Sequence, residues 1–269
     1  MNTESHTLLA VLLGAVAAAA TLLGGFFVAR GEWSQRVLKY FVAIGAGFML
    51  AAVFLEMIPE SLHYLTHQVR YPGDAGTLEM LSQQAIVKLF TLVLFGYLLV
   101  HFFEHTLAPH FHFGEETHVE EMAHAHVGYA AVLGLAIHAF FDGVAIGSGF
   151  AVSEWLGGII FLAVVLHKLP EGFTVASLML ASGQGKRAAL ASAGVLGAAT
   201  LAGVLLLSAV RGLAIYALPL SAGVTIYVAA SDLIPEVNKE PRFKLALLVF
   251  LGAGVMFALH MMFHSSVEH

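Results

Sequence analysis

Two stretches of the chain each carry a histidine and an acid four residues apart inside an apolar run. They read AIHAFFDGVAIG at 136–147 and VVLHKLPEGFTV at 164–175. Residues four apart share a face of an α-helix. His138 therefore lies over Asp142, and His167 over Glu171. Two imidazoles and two carboxylates form a good ligand set for Zn²⁺ and its first-row neighbours. The competing reading is a buried hydrogen-bonded ion-pair network that locks two helices together. Doubling of the motif favours the metal. Lys168 complicates this, because an ammonium beside His167 should repel a cation.

The elements that must position these residues follow from composition. The 269 residues are 59% hydrophobic and 11% charged, with a mean hydropathy of +0.84. A soluble domain is nearer a quarter charged. The chain reads as an all-α integral membrane protein, a single domain over 1–269. It has no cysteine, which excludes disulfides and thiolate ligands, and its net charge of −6 gives no reason to expect nucleic acid. A span needs about 20 mostly apolar residues. Eight segments qualify: 7–29, 40–62, 85–105, 127–151, 155–182, 188–210, 217–237 and 244–264. The start, MNTESH, lacks a basic segment, so 7–29 reads as a retained first span. Continuous rather than alternating hydrophobicity favours helices over a barrel.

The two histidines fall near the middle of spans 4 and 5, where an unpaired charge costs about 2.5–3.5 kcal/mol on insertion scales. Asp142, Lys168 and Glu171 at that depth imply a function. Gly143 and Gly172 follow the acids and would let helices approach closely. Pro170 has no N–H, so a kink there would free the Leu166 carbonyl near the site.

Lysine and arginine set the orientation. Arg30, Arg36, Lys39, Lys186, Arg187, Lys239, Arg242 and Lys244 fall on one side; Arg70, Lys88 and Arg211 fall on the other. Eight against three puts both termini outside. The connection after span 3 is then cytoplasmic, although it has no Lys or Arg. Its His-rich part, 106–126, includes His110, His112 and His118 with Glu115, Glu116, Glu120 and Glu121. Such tracts bind metal or remain solvated loops. FLEMIPES (54–61) in span 2 matches AASDLIPEV (229–237) in span 7. The two spans run in opposite directions, which reads as inverted repeats of spans 1–3 and 6–8. Glu56 is then a candidate for attracting cations at the entrance, with Asp232 as its counterpart. His260 and His264 read as interfacial.

HAFFDG and HKLPEG resemble the span-4 and span-5 signatures of the ZIP family of divalent metal transporters. Eight spans, outside termini, a His-rich loop after span 3 and the repeated IPE extend the resemblance over the whole chain. It implies a 3+2+3 arrangement, with metal held between spans 2, 4, 5 and 7. It also implies uptake of Zn²⁺ into the cytoplasm, with Cd²⁺, Fe²⁺ or Mn²⁺ as other divalent cargoes, by elevator-like movement of spans 1, 4, 5 and 6. His138, Asp142, His167 and Glu171 match ligand positions. Met49, in GAGFMLAAV (45–53), matches a position that offers a soft ligand, with apolar packing as its alternative role. Asp232 matches an acid of a second metal site in binuclear members.

The chain departs from the binuclear pattern at two positions. Ala139 stands where those members have Asn, and Lys168 where they have an acid. A protonated lysine has three donors and no lone pair. The pair reads as one metal plus a fixed positive charge in the place of the second, as in members with HK in span 5. Lys168 then has Asp142, Glu171 or Asp232 as its carboxylate partner. The resemblance points to a transporter rather than an enzyme, in a bacterial inner or a plasma membrane in contact with lipid. Homodimerisation is left open. The rival is an intramembrane zinc-dependent hydrolase, but the HExxH spacing of zincins is absent.

Overall fold

The computed structural model describes residues 3–31, 35–67, 75–107, 125–238 and 243–264. All described regular elements are helices, and eight are long and apolar enough to cross a membrane. The His-rich loop residues His110, His112 and His118 lie outside the described residues.

Span 1 is Thr3–Arg30, span 3 Ala75–Leu107, span 4 Ala125–Val152, span 5 Glu154–Ala181, span 6 Lys186–Ala209 and span 8 Phe243–His264. Span 2 is broken into Gln35–Ala52 and Ile58–His67 by a π-helical turn, Val53–Met57. Span 7 repeats this, with Ala214–Tyr227, a π-helical turn Val228–Leu233, and Ile234–Asn238. Both turns precede Ile-Pro-Glu, and the proline helps explain them. The Ile58 N–H donates to Val53, and the Ile234 N–H to Ala229. Pro59 and Pro235 have no N–H to offer. The carbonyls of Phe54 and Ala230 thus lose both their α- and their π-type donors. Span 5, by contrast, continues as one helix through Pro170.

The spans pack in two groups. Spans 1, 4, 5 and 6 all contact one another, spans 3 and 8 each pack on spans 2 and 7, which also meet, and the two groups touch chiefly where span 5 faces span 2 and span 4 faces span 7. Glycine sets the closest approaches. A Cβ on Gly172 would sit 1.9 Å from the Thr21 carbonyl oxygen, and one on Gly143 would sit 1.9 Å from that of Thr200. One on Gly47 would lie 1.9 Å from the Val249 oxygen, and one on Gly223 1.9 Å from that of Val93. Spans 1·5, 4·6, 2·8 and 3·7 therefore touch backbone to backbone, the small-residue mode by which helices associate in lipid.

These contacts recur in pairs. Gly47 precedes Glu56 and Pro59 by the spacing at which Gly223 precedes Asp232 and Pro235. Thr21 and Gly24 of span 1 are spaced as Thr200 and Gly203 of span 6, and both threonine hydroxyls donate back to their own helix, to Ala17 and Leu196. On the side of the chain ends, an apolar cluster joins spans 1 to 7, with Ala10, Met57, Leu89, Phe150, Leu156, Val204 and Leu218 among its members.

Candidate metal centre

Spans 4 and 5 lie side by side and bring their paired motifs together. Asp142 is the hub. Its Oδ2 lies 3.1 Å from His138 Nε2, 3.2 Å from His167 Nε2 and 2.7 Å from Lys168 Nζ. Lys168 also donates to Glu171 Oε2. One ligand atom from each of His138, Asp142, His167 and Glu171 falls within 4.8 Å of the others. Tetrahedral zinc, with bonds of about 2.0–2.1 Å, needs donors roughly 3.3 Å apart. The set is already gathered to nearly that scale.

All four residues are at most 5% exposed, and Lys168 is fully buried. Neither His138 Nδ1 nor Glu171 Oε1 has a hydrogen-bond partner among the described residues, and His138 Nε2 faces Asp142 Oδ2 at 3.1 Å without hydrogen-bond geometry. Orphaned polar atoms in a buried site are costly, and a cation would relieve that cost. His167 shows the same demand. Its Nδ1 lies 3.0 Å from the Ala163 carbonyl and its Nε2 faces the Asp142 carboxylate. Both are acceptors, so a neutral ring satisfies only one. With Nδ1–H given to Ala163, the Nε2 lone pair and the carboxylate converge on a place for a cation. Ala163 was not legible as a participant, because its part is played by a backbone carbonyl one turn back.

Of the carboxylates open to Lys168, the structure supplies Asp142 and Glu171. Asp232 falls in the span-7 π-turn, and its side chain is outside the described ones. Ala139 is buried in an apolar cluster with Val175, Ala176 and Leu196. Met49 is 1% exposed and belongs to the cluster that contains Ala163. One turn before it, Gly45 abuts His167, with a Cβ position 3.7 Å from the His167 Cβ. Span 2 thus passes directly beside the centre. Glu56 lies apart from the four-residue group, in the span-2 π-turn, and its Oε1 is 2.8 Å from His260 Nδ1. No local pattern signals this pairing, whose members are 204 positions apart.

The model of the ZIP zinc transporter family matches residues 5–131 and 112–260. The chain belongs to the ZIP zinc transporter family. Among ZIP relatives, zinc transporter ZIP9 of Micropogonias undulatus is 25% identical over 245 residues, covering 77% of this chain and 78% of its own. Zinc transporter ZIP13 of Pongo abelii is 25% identical over 235 residues, covering 84% and 67%. Zinc transporter SLC39A7 of Mus musculus reaches 31%, over 147 residues, covering 49% of this chain and 31% of its own. ZIP membership and eight apolar helices make this a multi-pass membrane protein.

Proposed function

We propose that this ZIP protein takes up zinc into the cytoplasm through one metal ion held at mid-membrane by His138, Asp142, His167 and Glu171. The observation that carries the reading is the buried four-residue group with its orphaned ligand atoms. Lys168 takes the place of a second metal. It bridges the two carboxylates and compensates them in the empty carrier, which must return across the membrane unloaded. Met49 lies on the span-2 wall and is the fifth contact. Two imidazoles and a thioether favour Zn²⁺ and Cd²⁺ over the harder Mn²⁺.

Alternating access is proposed as movement of spans 1, 4, 5 and 6 against spans 2, 3, 7 and 8. The grouping of contacts supports it. The recurrent glycine contacts and the two π-turns support inverted repeats of spans 1–3 and 6–8. Taking the termini as external, the apolar cluster on their side closes the centre from outside in this conformation. The hydrolytic alternative gains no support from the comparisons.

The test is ⁶⁵Zn uptake into vesicles containing the wild type or His167→Ala. Wild-type uptake that the substitution abolishes is expected. Uptake that persists in His167→Ala overturns the site.

A further inference from the structure

Eight serine and threonine side chains are buried among the described residues. Six of their hydroxyls donate to a carbonyl three or four residues back in their own span, as Thr21 does to Ala17 and Thr225 to Ser221. That bond lets a hydroxyl sit among apolar neighbours. Ser148 and Ser221 are the exceptions. They are 0% and 1% exposed, and neither hydroxyl has a hydrogen-bond partner among the described residues. The carbonyls of Val144 and Ala217 lie one turn back and are not used. Two orphaned hydroxyls are a cost that alanine at the same positions would avoid.

Both serines sit where the two groups of spans meet. Span 4 belongs to one group and span 7 to the other, and they pack together. Each residue of an α-helix turns about 100° from the last. Gly143 and Gly147 face span 6, where their Cβ positions meet Thr200 and Leu207. Ser148 is thus turned about 100° or more away from span 6. It falls two turns beyond Phe141 on the same face, and Phe141 packs on the cluster that holds Val224 and Tyr227 of span 7. Gly223 meets span 3 at Val93. Ser221, two residues earlier, is turned about 200° from it, away from span 3. Its neighbour one turn back, Leu218, clusters with Ala145 and Ile146 of span 4 and Met57 of span 2. Ser148 lies about 9 Å along its helix from Asp142, on the side of the chain ends. Ser221 lies one turn inward from Leu218.

We propose that Ser148 and Ser221 form a second cation subsite, a polar step that takes a hydrated divalent ion between the entrance and the four-residue centre. That role rests on the movement proposed above for spans 1, 4, 5 and 6. Waters around a cation point their hydrogens outwards, so acceptors hold the shell, and a serine hydroxyl offers two lone pairs. Neutral acceptors hold it weakly, and the ion passes on to the imidazoles and carboxylates. When the two groups of spans part on this side, water of the shell satisfies both hydroxyls. When they close, the apolar cluster shuts water out and the hydroxyls are orphaned. The cost falls on the closed conformation and favours its opening.

The chain has no cysteine, so Ser148→Cys and Ser221→Cys each introduce a single thiol of nearly serine's size. The experiment uses the full chain in vesicles of known orientation. A membrane-impermeant methanethiosulfonate applied on the side of the chain ends should label both thiols. Labelling should block ⁶⁵Zn uptake by these variants and leave the wild type untouched. Ser148→Ala and Ser221→Ala should each lower kcat/KM for uptake roughly fivefold, the weight of one hydrogen bond to the shell. Zinc affinity by chelator competition should stay within about twofold of wild type, because the centre is intact. Their melting temperatures should be equal to or above that of the wild type, because an orphaned hydroxyl is gone. Wild-type uptake in both alanine variants, or thiols that do not react from that side, overturns the proposal. So does a loss of affinity that matches the loss of uptake, which would place the hydroxyls in the centre itself. Uptake that persists in His167→Ala overturns the reading of the centre, whereas the labelling decides access to Ser148 and Ser221 whatever the cargo.

Discussion

Replacing Lys168 by methionine removes the ammonium that contacts both Asp142 and Glu171. Both carboxylates are 2% exposed, and Lys168 is fully buried. Water therefore cannot substitute for the lost cation. Removing one partner of a buried ion pair costs about 3–5 kcal/mol. That cost falls on the empty centre. In the loaded centre the metal compensates the same carboxylates, and the ammonium there only repels it. The difference appears as affinity. At 1.4 kcal/mol per decade, Lys168→Met should bind zinc roughly 10²- to 4 × 10³-fold more tightly than the wild type. Turnover should fall, because release is slower and the empty carrier returns with uncompensated charge. Bound protons can partly replace the lysine, so the gain should shrink as the pH is lowered. Competition with a fluorescent chelator measures the affinity, and zinc flux in vesicles measures turnover. Affinity within about threefold of wild type, or weaker, would refute the argument that Lys168 holds the place of a cation.

Three further variants probe the same frame. Lys168→Asp combined with Ala139→Asn should create a second metal position, raising the zinc bound per chain from one to two by elemental analysis; a count of two in the wild type would contradict the single-metal reading. Gly143→Ala places a methyl where a Cβ would meet the Thr200 oxygen at 1.9 Å. Its melting temperature in detergent should drop by the equivalent of about 1–3 kcal/mol. Gly158→Ala, where nothing lies within 4 Å of the added carbon, should leave the melting temperature unchanged or slightly raised.

The gathering of the four candidate ligands was legible because its signal is local. His138 and Asp142, like His167 and Glu171, are paired by one helical turn, and their burial follows from the apolar runs around them. Eight spans follow from composition and length alone. Geometry that depends on partners far along the chain was not legible. Gly143 and Gly172 read as sites of close approach, but nothing local tells that they face Thr200 and Thr21. The repeated IPE was visible, yet the π-turns before it arise from competition between backbone donors that only the folded helix decides. Pro170 illustrates the reverse. It frees a carbonyl in principle, but tertiary packing carries span 5 through it as one helix. His260 read as an interfacial residue and proves to be the partner of Glu56.

Anomalous scattering at the zinc edge, from crystals of the zinc-loaded protein, tests the account most directly. The account predicts one peak in each chain within the membrane, bonded to His138, Asp142, His167 and Glu171, with the Lys168 ammonium beside it and no metal in its place. A peak away from these four residues, or two adjacent peaks among them in the wild type, would contradict it.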